Sequence, residues 1–138
     1  MPKIIIASGP VIVENDQVLL NQSGDTDFWK FCGGKMEDYE INLIETAKRE
    51  AKEEVGIDIE IIKPEPFLYY TEKTTPEGTL DVILVHFLAR RIGEIKPGAD
   101  IRRWKWIPLK DLKKENLAPN ILPALKHFQL LPGSKRSD

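Results

Sequence analysis

Three glutamates, Glu50, Glu53 and Glu54, follow Arg49 in the segment Gly33 to Ile57, GGKMEDYEINLIETAKREAKEEVGI, which starts on a Gly-Gly-Lys turn. On a helix, spacings of three and four residues bring side chains onto a common face, so these carboxylates would share one side. Like charges placed this way cost roughly a few tenths of a kcal/mol per pair. A divalent cation would remove that cost. Mg²⁺ prefers carboxylate and water oxygens and commonly sits between protein acids and substrate phosphates. Held here, it could polarise a phosphoryl oxygen and lower the pKa of an attacking water, so phosphoanhydride hydrolysis is the reaction that best uses such a set. The glycines ahead of the helix fit that use, because they let backbone groups come near an ion or a phosphate. The same residues also fit a solvated helix face, with Glu45–Arg49 and Arg49–Glu53 as surface pairs of little worth. The helix alone does not choose between the two.

The elements that would position these acids can be read from the same pattern. Ile44, Ala47, Ala51 and Val55 form a narrow apolar stripe on a helix that begins close to Leu43, and its two alanines would let it lie close to a sheet. Gly56 suits the left-handed position after the last turn. The carboxylates then sit at the edge of the buried face. Upstream, IIIASGPVIVENDQVLLNQ from Ile4 reads as a hairpin turning at Glu14 to Gln17, and Phe28 to Phe31 as a short strand running into the glycines. Lys35 to Asn42 is a predicted loop.

Downstream, Ile57 to Ile61 alternates as a half-buried strand until Pro64 and Pro66 interrupt it. Phe67 to Thr71 and Leu80 to Ala89 are two further strands joined by a turn at Thr75 to Gly78, and Val82 to Leu88 is apolar enough for a central strand. Gly93 to Ala99 is a loop, Trp104 to Pro108 a strand, and Leu109 to Lys114 a helical turn. A last helix spans about Pro119 to Gln129, with Ile121, Leu125 and Phe128 inward. Strands before, between and after two helices predict an α/β fold with a mixed sheet between helical layers. A single domain over residues 1–131 with a polar tail at 132–138 is expected.

With 138 residues, 41% hydrophobic and 30% charged, the chain has the balance of a globular protein. Its net charge of −2 gives no general attraction to nucleic acid or anionic lipid, so a polyanionic substrate must be met by local charges or by metal. The one cysteine, Cys32, cannot form an internal disulfide. No apolar run approaches the roughly 20 residues that cross a bilayer, and the start lacks a signal-peptide core. A cytoplasmic location is expected, without a membrane partner.

The segment resembles the Nudix box, GX5EX7REUXEEXGU with U a bulky aliphatic residue, the signature of enzymes that hydrolyse nucleoside diphosphates linked to another moiety. Gly34, Glu40, Arg49, Glu50, Glu53, Glu54, Gly56 and Ile57 match it. Eight residues separate Glu40 from Arg49 where the pattern has seven, and Ala51 stands in the place of the aliphatic. The register from Arg49 to Ile57 is intact, while the part of Glu40 is put in doubt.

The resemblance implies a Nudix α/β/α sandwich. It implies that Glu53 and Glu54 are the main ligands of Mg²⁺, or alternatively Mn²⁺. Glu50 would be a further ligand or would orient or deprotonate the water, and the Gly33 carbonyl another ligand. Arg49 would hold the glutamates, and Lys35 would lie near the phosphates. Asp100 falls where relatives carry another acid near the metals, though a loop aspartate reads the same way. Trp29 to Lys35 is similar to the WxFPGGK segment of family members, with Cys32 in place of proline; a packed thiol fits it better than a nucleophile. Phe31 could line a base pocket or pack in the core.

Leu117 to Pro123 resembles the segment carrying a purine-reading asparagine in the mutator-type, nucleotide-sanitising branch. Asn120 has the donor and acceptor that reading a base needs, and also suits a helix cap. Arg102 and Arg103 could meet phosphate, but residues flanking a strand more often face solvent. Tyr69 and Tyr70 fall where dinucleoside-polyphosphate hydrolases keep a stacking tyrosine, with packing as the simpler reading. His86 and His127 lack ligand spacing and are given no role.

A nucleoside triphosphate, including an oxidised purine, is the leading substrate, releasing the monophosphate. ADP-ribose or dinucleoside-polyphosphate hydrolysis, or a Nudix-fold regulator that binds without cleaving, are the alternatives. The expected partner is a small nucleotide, and a homodimer is left open.

Overall fold

Two apolar strands with a core on each face carry the architecture. In the computed structural model, which describes residues 3–133, β1 (Ile4–Glu14) and β2 (Gln17–Ser23) pair antiparallel across Asn15 and Asp16. Both turn residues take positive φ, 51° and 60°. That turn matches the twist of a two-residue hairpin, and Asn and Asp are among the few side chains that tolerate it. β3 (Gly34–Lys35) pairs with Ala7 and Ser8 of β1, so Lys35 closes a short strand and the loop starts after it.

No strand forms over Phe28 to Phe31. Lys30 exchanges backbone bonds with Asn21, while Trp29 bonds Asn116 and Ala118, so the segment divides its hydrogen bonds between two partners and builds no ladder. The helix α1 (Leu43–Val55) begins and ends where the pattern predicts. Asn42 caps it by accepting from the Glu45 N–H, the Glu45 carboxylate reaches back to the Ile41 N–H, and Gly56 stops it at φ 72°.

The strands β4 (Asp58–Ile61), β5 (Phe67–Thr75), β6 (Gly78–Ile92) and β7 (Ile101–Pro108) complete the sheet, in the order β4-β6-β1-β2-β7, with β5 on β6 and β3 on β1. The β1–β6 pairing is parallel and the others antiparallel, giving the mixed sheet expected. The β5–β6 hairpin and β7 are longer than the pattern suggests, because exposed polar residues such as Glu72, Lys73 and Arg102 extend the ladders without alternating burial.

Alternation sorts the apolar residues. Ile12, Leu19, Phe87 and Ala89 face α1, where Ala47, Ala51 and Val55 are wholly buried. Val11, Val18, Leu20 and Leu88 face the opposite layer, made of the 3-10 helix Leu109–Lys114 and the helix α2 (Ile121–His127). Phe128 is buried just beyond the end of α2. The end of the predicted polar tail, residues 134–138, lies outside the described residues. No helix among the described residues is long and apolar enough to cross a membrane.

β1 changes partners at Gly9 and Pro10: β3 pairs with it before them and β2 after. Here the Cys32-Gly33 backbone crosses so close that a Cβ on Gly9 would run into the Cys32 carbonyl. Only glycine admits that approach. The site is built around this crossing.

Candidate active site

Arg49 uses all five of its N–H donors. Nε donates to Glu40 Oε2 at 3.1 Å, Nη1 to Glu50 Oε1 at 2.9 Å and Glu53 Oε2 at 3.0 Å, and Nη2 to Glu40 Oε1 at 3.2 Å and the Lys35 carbonyl at 2.8 Å. One rigid fork thereby ties the β3 backbone, the loop glutamate and two acids of α1. Glu40 is buried and also accepts from the Thr46 hydroxyl and the Glu37 N–H. Burial by itself would raise its pKa, but the Arg49 bonds, helped by Glu37 and Thr46, hold it below the ordinary carboxylate value. With the extra residue before the helix, Glu40 still reaches Arg49. Its neighbours Tyr39 and Ile41 are 73% and 81% exposed.

On the inner side of α1, Glu54 Oε1 accepts from the Gly33 N–H at 2.6 Å. The Glu50 carboxylate lies against Gly34, so close that a Cβ there would overlap it. Glu50, Glu53 and Glu54 share a cleft of about 320 Å³ with Gly33, Ser23 and Asp100. Burial, reinforced by the charge of Glu50 and opposed by the Gly33 N–H, pushes Glu54 up to about 7. Burial also raises Glu50, against the pull of Arg49. Among the described residues no three acidic, histidine or cysteine side chains converge closely enough to enclose an ion; Glu53 is bonded to Arg49 and Glu54 to the Gly33 N–H.

The donor set nevertheless suits a hard divalent cation. It consists of carboxylate oxygens, crowded until their own charge is costly. Burial, then the charges of Glu54 and Glu50, drive the Cys32 thiol far above its ordinary pKa, so it stays protonated and packed.

A second cavity of about 300 Å³ adjoins the first at Gly33 and is lined by Lys30, Phe31, Tyr69, His86 and Asn120 among others. The Phe31 and His86 rings lie 4.8 Å apart at 60°. His86 Nδ1 is 3.3 Å from the Gly9 carbonyl, and Nε2 is 2.8 Å from Asn120 Nδ2. Burial lowers the His86 pKa to about 4, only partly offset by the bond to Gly9, so the ring is neutral at physiological pH. A larger depression of about 660 Å³, between the Asn15-Asp16 turn and Leu130 to Gly133, contains none of the expected site residues.

Of the residues expected at a site, Gly33, Glu50, Glu53, Glu54 and Asp100 meet in the acidic cleft, and Phe31 and Asn120 in the neighbouring cavity. Lys35 is elsewhere. It lines a separate depression with Met36, Glu37 and Glu40, and its contribution to the network is its carbonyl on Arg49. Arg102 is tied to the Gly24 and Thr26 carbonyls and to Gln22, and Arg103 lies over the Trp29 ring. Tyr70 is exposed and donates to Asp81 or Glu72, whereas Tyr69 reaches the cavity. His127 packs between Phe67 and Phe128.

Lys30 and His86 line the cavity without having been expected at a site. A histidine inside the apolar run Val82 to Leu88 was the available signal, because a polar group buried there must find partners.

A NUDIX domain profile matches residues 5–128. The chain belongs to the Nudix family of hydrolases, which act on phosphoanhydride bonds. Among solved structures it is similar to the mutator MutT protein from Bacillus halodurans, at 29% identity over 90% of this chain and 81% of that one, TM-score 0.71. A MutT protein from Methanosarcina mazei Go1 shares 24% identity over 92% and 94% of the two chains, TM-score 0.74. An Ap4A hydrolase from C. elegans shares 21% over 90% and 94%, TM-score 0.71. No curated protein matches the chain by sequence.

Proposed function

We propose that residues 1–131 form one catalytic domain, a divalent-metal-dependent hydrolase that cleaves the pyrophosphate bond of a nucleoside triphosphate and releases the monophosphate. The observation that carries this reading is the meeting of two unlike cavities at Gly33, one acidic and one lined by aromatic and amide groups. A nucleotide has the same division between polyphosphate and base. The base would enter between Phe31 and Asn120. The polyphosphate would cross Gly33 toward the acids. Lys30, which makes no ion pair among the described residues, lines this cavity and supplies local positive charge where the net charge of −2 gives no general attraction.

Glu53 and Glu54, with Glu50, Asp100 and the Gly33 carbonyl, would hold Mg²⁺ or Mn²⁺. The bound cation would neutralise phosphoryl oxygens and lower the pKa of the attacking water. Glu50, half-buried and held by Arg49, is suited to orient that water or accept its proton on a carboxylate oxygen. Arg49 acts through the carboxylates it fixes.

Products distinguish the substrate classes. With Mg²⁺ or Mn²⁺ and a panel of nucleoside triphosphates, ADP-ribose and dinucleoside polyphosphates, the expected result is a nucleoside monophosphate plus pyrophosphate from a triphosphate. Cleavage restricted to ADP-ribose or a dinucleoside polyphosphate would reassign the substrate. Tight binding with no cleavage of any of them would instead favour a regulator.

A further inference from the structure

Asn120 stands immediately before α2, yet its side chain makes no capping bond, and at 5% exposure it is committed to the cavity wall. Its Nδ2 is bonded to His86 Nε2 at 2.8 Å, while no group among the described residues donates to its Oδ1. His86 in turn is fixed from two sides. The Phe31 ring packs on it, and its Nδ1 faces the Gly9 carbonyl. A carbonyl can only accept, so Nδ1 carries the hydrogen and Nε2 presents a lone pair. The amide of Asn120 can meet that lone pair only with its NH₂ group. Turned the other way, two acceptors would face each other in a buried wall.

We propose that His86 is a positioning residue for base selection: it fixes the Asn120 amide so that Oδ1 is offered to the substrate as an acceptor, favouring nucleobases that carry an exocyclic amino group. This rests on the reading of the cavity as the base pocket. Open to the cavity until a base covers it, the Asn120 carbonyl would be buried without a donor when the amine is missing, which penalises the wrong base more than an apolar wall would. Adenine, guanine and cytosine supply the amine; hypoxanthine, uracil and unsubstituted purine do not.

Steady-state kinetics test this on matched triphosphates that differ at the amine: adenosine against purine riboside, guanosine against inosine, cytidine against uridine. The wild type is expected to prefer the amino-bearing member of at least one pair by about tenfold or more in kcat/KM. His86→Leu should bring that ratio close to one, with the loss in KM rather than kcat. His86→Gln, whose side-chain oxygen can accept in place of Nε2, should restore much of it.

A His86→Leu variant that keeps the wild-type ratio overturns the proposal, as does a wild type indifferent to the amine in every pair. If the wild type cleaves no nucleotide in the presence of a divalent cation, the functional reading fails instead. The nitrogen-15 spectrum of the wild-type His86 ring then still decides this point, and it does so even if His86→Leu does not fold. Protonated Nδ1 and unprotonated Nε2 support the proposal, and the opposite tautomer overturns it.

Discussion

At the scale of single residues, the site depends on contacts that admit one side chain and no larger one. Gly34 lies against the Glu50 carboxylate, the flexible end of a side chain, so Gly34→Ala should fold but push the carboxylate aside. Activity is expected to fall about a hundredfold with little change in unfolding midpoint, since displacing a catalytic group by an ångström or so costs that much. Turnover alongside a urea denaturation curve checks both halves. Glu40 has a different part. It is buried, accepts four hydrogen bonds and neutralises Arg49. Glu40→Gln should destabilise the protein by roughly 1–3 kcal/mol in the same denaturation assay, as loss of hydrogen bonds to a charged group does.

The acids of this network could be read directly, because Arg49 to Glu54 are neighbours on one helix. His86 and Lys30 could not. His86 takes its meaning from Gly9, 77 residues away, and from Asn120, 34 residues away, and local pattern carries no record of either. Lys35 was misleading for a related reason. It follows the glycines directly, but in β3 it alternates away from the cavities toward a separate depression.

At the scale of elements, α1 does the positioning. Its ends were legible because Asn42 and Gly56 act locally, whereas the absence of a strand at Phe28 to Phe31 depends on Asn21 and Asn116, far along the chain. Ala51 is where the family pattern has a bulky aliphatic, and here it is wholly buried against the sheet beside Ala47 and Val55. The helix therefore sits close, and Ala51→Leu has no space to fill. It should cost about 1–3 kcal/mol in unfolding free energy. Moving the helix outward would also carry Glu54 away from the Gly33 N–H, so activity should fall with stability. A stable, fully active Ala51→Leu protein would show that the spacing between helix and sheet is not constrained in this way.

At the scale of the whole molecule, the sheet between two helical layers brings a neutral histidine into a buried position, and this has a consequence for stability. In the unfolded chain His86 takes a proton near its ordinary pKa of 6.5, whereas burial holds it to about 4 in the fold. A depressed histidine means that the unfolded state binds more protons, so this contribution is complete above pH 6.5 and is lost as the pH falls toward 4. No charged neighbour contributes to the shift; burial causes it, slightly offset by the Gly9 carbonyl. Denaturation at pH 7 and pH 4.5 should show the wild type losing stability relative to His86→Gln, by on the order of 3 kcal/mol over the full window. Equal pH dependence in the two proteins would mean that the ring is not held neutral.

The layered arrangement was legible from the order and apolar pattern of the strands, and the acidic segment was legible from its spacing. The joining of the acidic cleft to an aromatic cavity at Gly33 was not, since it arises where β1 exchanges β3 for β2 around Gly9. Metal-assisted hydrolysis at this junction is tested most directly by the release of nucleoside monophosphate in the presence of Mg²⁺ from wild type, Glu53→Gln and Glu54→Gln. Each substitution removes a charge while leaving its shape, and each should lower turnover by more than roughly a hundredfold, with wild-type activity abolished by a chelator. Wild-type turnover in both variants with divalent metal present would contradict it.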